Sequence, residues 1–172
     1  LIIFSPHLDD AVLSMGNLIS YLTRKKTDIE IISVFTKGSE ILSDLTKKLL
    51  KQAGFDNEKD YFNAREKENL DAIRYLGGIK IQNLGFIDAA WRKTVSNEPL
   101  YPETTLSEIN SEDKELEIEI TKIIKDKVVI SDRILVFAPL ARGRHVDHQI
   151  IRNICLKMNF IRICVLPQSQ GK

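Results

Sequence analysis

Cysteine is nearly absent from this sequence. Cys155 and Cys164 are the only two in 172 residues, too few for a disulfide-stapled scaffold and without the paired spacing of a zinc ribbon. Their apolar neighbours suit reduced thiols packed in a core. An excess of one charge is also lacking. With 25 Lys and Arg against 24 Asp and Glu, the basic surface that would make nucleic acid the main partner is missing. No apolar run approaches the roughly 18 residues that a membrane helix needs, and no charged segment leads into an apolar one as in a secretory leader. These absences lead us to expect a soluble, cytoplasmic protein with a small-molecule partner, with no nucleic acid and no membrane span; a homo-oligomer stays open. The first residue is Leu1 rather than Met, so a leader outside these residues stays open as well.

What the sequence does contain is an alternation of extended and helical patterns. "LIIF" at 1–4 and "IEIISVF" at 29–35 are continuous apolar runs of the kind found in strands buried on both faces. Between them Val12, Met15, Ile19 and Leu22 recur at three- and four-residue intervals and predict a helix over 10–24. A second helix is predicted over 61–76, with Leu70, Ile73 and Leu76 on one face and Gly77-Gly78 as its stop. "KIQNLGF" at 80–86 is a third strand. Leu116, Ile120, Ile123 and Ile124 mark a helix over roughly 112–126, "RILVFAPL" at 133–140 a fourth strand, and Val146, Ile150, Ile154 and Met158 a helix beginning near His145. "FIRICVL" at 160–166 is the fifth strand. Two stretches break the alternation. Residues 37–60 are polar, with Leu42, Leu45, Leu49 and Leu50 hinting at a short helix, and are expected to form a mobile excursion near a site. Residues 87–113 carry two prolines and no sustained period, and are expected to form a wall or lid. The whole predicts one α/β domain over 1–172, a Rossmann-like three-layer sandwich with a mostly parallel sheet and helices on both faces.

The chain has three histidines, His7, His145 and His148, and all belong to two polar motifs, "SPHLDD" at 5–10 and "RGRHVDH" at 142–148. Both motifs follow predicted strands, and ligands of open α/β sheets bind outside the carboxyl ends of the strands. A bland reading stands beside this: an Asp at a strand-to-helix junction is commonly an N-cap, and a lone His is commonly structural. Grouping favours chemistry. His7 and Asp10 are three apart in a first helical turn and can grip one ion, while Asp9 points elsewhere and can sit beside the ion without binding it. His145 and His148 are also three apart, so one or both can face the same cavity. Two imidazoles and a carboxylate form an open site that suits Zn²⁺ or facially bound Fe²⁺. A structural zinc site would close with four ligands, often thiolates, and the cysteines lie in the wrong places. A dinucleotide-binding enzyme needs a Gly-rich turn after its first strand, and "SPHLDDAV" has no glycine.

These residues resemble the PIG-L/LmbE family of zinc-dependent N-deacetylases, whose hallmarks are a His-Pro-Asp-Asp element after the first strand and a later His-x-Asp-His element. Here they are "PHLDDAVLS" at 6–14 and "HVDH" at 145–148, with similar landmarks in "AREKENLDAIRYLG" at 64–77, "NLGFIDA" at 83–89 and "APLARGRHVDHQ" at 138–149. Leu8 stands where the family has a second proline, and Ala11 where glutamate is common. Family members continue beyond the last helix and strand seen here, so a C-terminal segment is expected to be missing. The resemblance implies that His7, Asp10 and His148 hold Zn²⁺ and that Asp9 is the general base. It implies that His145 is off the metal and, if protonated, stabilises the oxyanion and assists departure of the amine, with Asp147 holding its ring; the other reading of Asp147 is a solvent-facing acid of the first helical turn. Arg65 and Asp88 match substrate-binding positions, although Arg65 could instead pair within its own helix and Asp88 close a turn. Arg142 and Arg144 would suit an anionic substrate or a solvated loop. Trp91 is expected in the core rather than on a sugar ring. The implied reaction is deacetylation of an N-acetylated amino sugar or its conjugate. A metal-binding module without activity is the competing reading.

Overall fold

The computed structural model describes residues 1–40, 43–128, 134–158 and 163–166. The strands are β1 (Ile2–Ser5), β2 (Glu30–Lys37), β3 (Lys80–Ile87), β4 (Val136–Pro139) and β5 (Ile163–Leu166). The helices are α1 (Asp10–Arg24), α2 (Asp44–Ala53), α3 (Glu58–Tyr75), α4 (Lys114–Lys127) and α5 (Val146–Lys157). All strand pairs are parallel, in the order β3-β2-β1-β4-β5. The chain therefore winds outward from β1 through β2 to β3, then returns to add β4 on the other side of β1.

The period of two along each strand decides which helix packs where. Ile2, Phe4, Ile32, Val34, Val136 and Ala138 point to one face, where Ile120 and Ile124 of α4 and Ile150, Ile151 and Ile154 of α5 cover them. Ile3, Ile31 and Phe137 point to the other, under Ala11, Met15 and Ile19 of α1 and Ile73 of α3. Each such isoleucine contributes about 1.5–3 kcal/mol on full burial, so the apolar runs that looked continuous in the sequence fill two cores. Helices do lie on both faces, as expected.

The segment after β2 contains the short helix at which its leucines hinted. Its leucines build α2, capped by Ser43 Oγ, which accepts the Thr46 N–H at 3.1 Å, and closed by Gly54 in the left-handed region. Leu50 of α2 packs with Leu8, Phe62, Ala90 and Trp91 in a third cluster; Leu42 lies outside the described residues. The second predicted helix starts at Glu58, three residues early, because Asn57 Oδ1 accepts the Asp60 N–H at 2.9 Å and sets its N-terminus. The 87–113 stretch forms a wall. Trp91, Leu100 and Tyr101 are buried, and Leu106 bridges to His145 while the Val146 N–H donates to the Thr105 carbonyl at 2.9 Å. Residues 160–162 of the fifth predicted strand, residue 133 of the fourth and the side chain of Cys164 lie outside the described residues, and Cys155 is a buried free thiol. Among the described residues no helix is long and apolar enough to cross a membrane.

Candidate metal centre

β1 and β4 are neighbours in the sheet, and the chain reverses its direction of winding between them, so their carboxyl ends open a crevice at the switch point. The two histidine motifs meet there. Asp10 opens α1, and its Oδ2 accepts the His7 backbone N–H at 2.9 Å. The same oxygen lies 3.1 Å from His7 Nδ1 and 3.2 Å from His148 Nε2. On the other edge of the ring, His7 Nε2 lies 3.0 Å from Asp147 Oδ2 and 3.5 Å from Asp88 Oδ2. The His145 ring centroid stands 4.8 Å from that of His7 and 5.4 Å from that of His148. Donor atoms of His7, His145 and His148 fall within 4.8 Å of one another, as do those of His7, Asp88 and Asp147. His7 is common to both groups.

The local backbone explains this placement. Asp9 occupies the N-cap position of α1 but its side chain makes no capping hydrogen bond. Ser5 does that work instead: its Oγ accepts the Ala11 N–H at 3.0 Å and donates to the His7 carbonyl at 2.6 Å. Both aspartates are thus released from the bland capping role. Asp10 turns inward to the imidazoles, and Asp9, half-exposed, pairs through Oδ1 with Arg65 Nη2 at 2.9 Å. Arg65 also donates to the Tyr61 hydroxyl at 3.2 Å, so it reaches across to α1 rather than pairing with an acid of its own helix.

Electrostatics follow from burial and these partners. Burial alone would lower the pKa of His7, but hydrogen bonds to Asp10 and Asp147 and the charge of Asp88 raise it well above the usual value. Burial would raise Asp10, yet hydrogen bonds from His148 and His7 hold it far below the usual carboxylate range. Asp88 is pushed up, chiefly by burial, with the neighbouring Asp147 charge adding to it. One carboxylate oxygen between two imidazole nitrogens needs protons on those nitrogens or a cation in their place, and this donor chemistry fits a divalent ion held by His7, Asp10 and His148.

Three expectations are corrected. Asp147 does not hold His145 through its carboxylate and does not face solvent. It is completely buried, and its Oδ2 accepts the Ala89 N–H at 3.0 Å as well as facing His7. His145 instead caps α5, its Nδ1 accepting the Asp147 backbone N–H at 3.2 Å. Burial, then the charge of His7, pushes the His145 pKa down to about 3, so the ring is neutral with its proton on Nε2. Asp88, expected at the pocket edge, is buried beside His7, and its Oδ1 accepts the Ala90 N–H at 3.0 Å, so the alternative reading, that it closes the turn after the third strand, holds. Of the loop arginines, Arg144 pairs with Glu108. Trp91 is in the core, stacked on Tyr61 with centroids 5.6 Å apart.

The sequence reading missed Arg92. It is buried, with Nη2 2.7 Å from Asp147 Oδ1 and Nε 3.3 Å from Asp113 Oδ1. Burial would raise the Asp147 carboxyl, but the Arg92 charge and then the hydrogen bond from His7 hold it below the usual range. No periodicity marks such a residue; the only available signal was an arginine beside Trp91 in an otherwise apolar turn.

The family model described as "PIG-L: GlcNAc-PI de-N-acetylase" matches residues 2–159. Among solved structures, the chain is similar to the deacetylase of the teicoplanin biosynthesis pathway in its bog complex, at 26% identity and a TM-score of 0.73 over 91% of this chain and 60% of that one. It is similar to the zinc-inhibited form of teicoplanin deacetylase at 24% identity and a TM-score of 0.72, over 91% of this chain and 61% of that one. It is also similar to N,N'-diacetylchitobiose deacetylase from Pyrococcus horikoshii at 18% identity and a TM-score of 0.55, over 99% and 61%. The last two likenesses carry the fold alone. The chain spans about three fifths of the length of these structures. No curated protein matches it.

Proposed function

Because the chain belongs to the PIG-L family, we propose that it is a metal-dependent hydrolase that removes an acetyl group from an N-acetylated amino sugar or its conjugate. The observation that carries this reading is the division of labour between adjacent aspartates: Asp10 Oδ2 joins His7 and His148, while Asp9, the preceding residue, stands half-exposed and paired with Arg65. His7, Asp10 and His148 would hold the ion, zinc first and ferrous iron second. A divalent cation there supplies Lewis-acid polarisation of the amide carbonyl and a lowered pKa for the attacking water.

The chain's own residues account for the remaining steps. Asp9 is the general base: it takes a proton as the water oxygen bonds to the carbonyl carbon, and returns it to the amine nitrogen as the C–N bond breaks. Arg65 keeps the Asp9 carboxylate in place through Oδ1 and is the proposed partner for polar groups of the substrate. His145 needs no charge to serve the oxyanion, since the Asp147 N–H on Nδ1 leaves Nε2–H as a donor. Asp88 suits support of His7 better than a sugar hydroxyl, given its burial. The free, buried Cys155 thiol fits the cytoplasmic location that goes with this reading.

The test is acetate release, with bound metal measured in parallel, from free, phosphorylated and nucleotide-linked N-acetyl sugars by the parent and Asp9→Ala proteins. The variant is expected to keep its metal and lose about 10²- to 10⁴-fold in turnover. Undiminished turnover would remove Asp9 as the base. A zinc-loaded parent that releases acetate from none of these sugars would favour the binding-module reading.

A further inference from the structure

Arg92 follows the short helical turn Ala89–Trp91 and is only 6% exposed. Its guanidinium carbon stands 5.2 Å from the Phe35 ring centroid and 5.5 Å from that of Tyr101. A charge taken this far from water is destabilising unless opposite charge compensates it. Two carboxylates do so. Asp113 lies on one side, fixed by a 2.7 Å hydrogen bond from the Tyr101 hydroxyl, and Asp147 on the other. Asp147 is the more dependent of the two. It is fully buried, lies close to the second buried carboxylate of Asp88, and meets His7 Nε2 with its remaining oxygen. A continuous line of contacts therefore runs His7–Asp147–Arg92–Asp113–Tyr101, from a metal-ligating imidazole into the core.

A histidine that gives one ring nitrogen to a cation directs its other N–H to an acceptor, and that acceptor fixes the tautomer and the angle of the ring. Asp147 is placed to be that acceptor: Arg92 Nη2 stands 2.7 Å from its Oδ1, and this contact holds the carboxylate with Oδ2 3.0 Å from His7 Nε2. We propose that Arg92 is a positioning residue for His7: acting through Asp147, its buried charge keeps an acceptor on His7 Nε2–H and so turns Nδ1 toward Asp10 and His148. The inference rests on the metal centre proposed above. No Arg92 nitrogen is aligned for a hydrogen bond with a described residue, so the Arg92–Asp147 contact works as charge against charge. Charge, more than the guanidinium fork, is what a substitution must keep.

The experiment compares zinc dissociation constants, by competition with a chromogenic chelator, for the parent, Arg92→Met, Arg92→Gln, Arg92→Lys and Asp113→Asn. Only protein that melts cooperatively is used, and Arg92→Gln stands in if Arg92→Met does not fold. The neutral variants are expected to bind zinc about 10- to 100-fold more weakly, the usual cost of losing such support around a ligating histidine. Arg92→Lys is expected to retain most of the affinity. Asp113→Asn, which removes the carboxylate that does not touch His7, is expected to lower the melting temperature and leave zinc affinity near that of the parent. Parent-like affinity in the neutral variants overturns the inference, as does a lysine variant as weak as the glutamine one. Equal loss in Asp113→Asn would show a merely structural role and overturn it too. A parent that binds no stoichiometric zinc instead overturns the metal centre itself, and the inference with it.

Discussion

Replacing Asp10 by Asn leaves an amide oxygen to accept the His7 backbone N–H but removes the charge that His7 Nδ1 and His148 Nε2 share at 3.1 and 3.2 Å. In metal-free protein this is a direct loss of stability. Hydrogen bonds to charged partners contribute about 1.5–3 kcal/mol each, and the lower figure is apt for a carboxylate that keeps some exposure. Two contacts then give about 3 kcal/mol, at the lower edge of the ~3–5 kcal/mol lost when a buried ion pair is broken. In a chain of this length that is a fall of about 6–12 °C in melting temperature. The sign of the pH dependence is fixed by both partners. Asp10 has a lowered folded pKa, so its contribution is present above about 3.9 and is lost as pH falls through the folded value. His7 has a raised folded pKa, so its contribution is complete below about 6.5 and is lost as pH rises through the folded value. The gap between parent and variant is therefore widest between about pH 4 and 6.5 and narrows toward alkaline pH. Thermal melts in chelator at stepped pH measure it. A gap that stays flat with pH, or one below about 1 kcal/mol near pH 5, would refute the reasoning. Added zinc should then stabilise the parent by about 2.7 kcal/mol at a hundred times its dissociation constant, and the variant by much less.

Two further substitutions test how the scaffold holds the site. Ser5→Ala removes both the cap on the Ala11 N–H and the 2.6 Å bond to the His7 carbonyl, and urea titration should show a loss of about 1–2 kcal/mol; parent-like stability would mean that α1 finds its N-terminus without Ser5. Gly77→Ala places a methyl 2.4 Å from Thr23 Cγ2 at a backbone φ of +118°, so it should cost more than about 1 kcal/mol. Adding Thr23→Ser relieves the clash but leaves the dihedral strain, and should restore stability in part; full restoration would show that sterics alone required the glycine.

The fold was legible because buried parallel strands and one-sided helices leave plain periods, and both hydrophobic faces of the sheet can be recovered from alternate residues of "LIIF" and "IEIISVF". α2 was harder to see. Its amphipathic stripe is short and lies among lysines, and the residue that anchors it, Leu8, sits in a motif where apolar packing is easily overlooked. That leucine is buried in one cluster with Leu50 and Trp91, so its place in the motif is one of packing. His7 and Asp10 do meet, but not as two residues of one helical turn: His7 precedes the Asp9 N-cap of α1, and the Asp10 carboxylate reaches back to accept its backbone N–H. The role that the resemblance implied for Asp147 does not match its place here: its main chain rather than its carboxylate meets His145, which is the N-cap of α5 with extended backbone. Arg92 and its carboxylates come from three separate segments, and a tertiary ion pair leaves no period to read. The joining of the two histidine motifs has the same origin. Each motif marks the end of a strand, but only the return of the chain to place β4 beside β1 brings those ends together. The site is thus a property of strand order, which is chosen by the packing of whole layers, and its two halves can be recognised in the sequence long before the contact between them can.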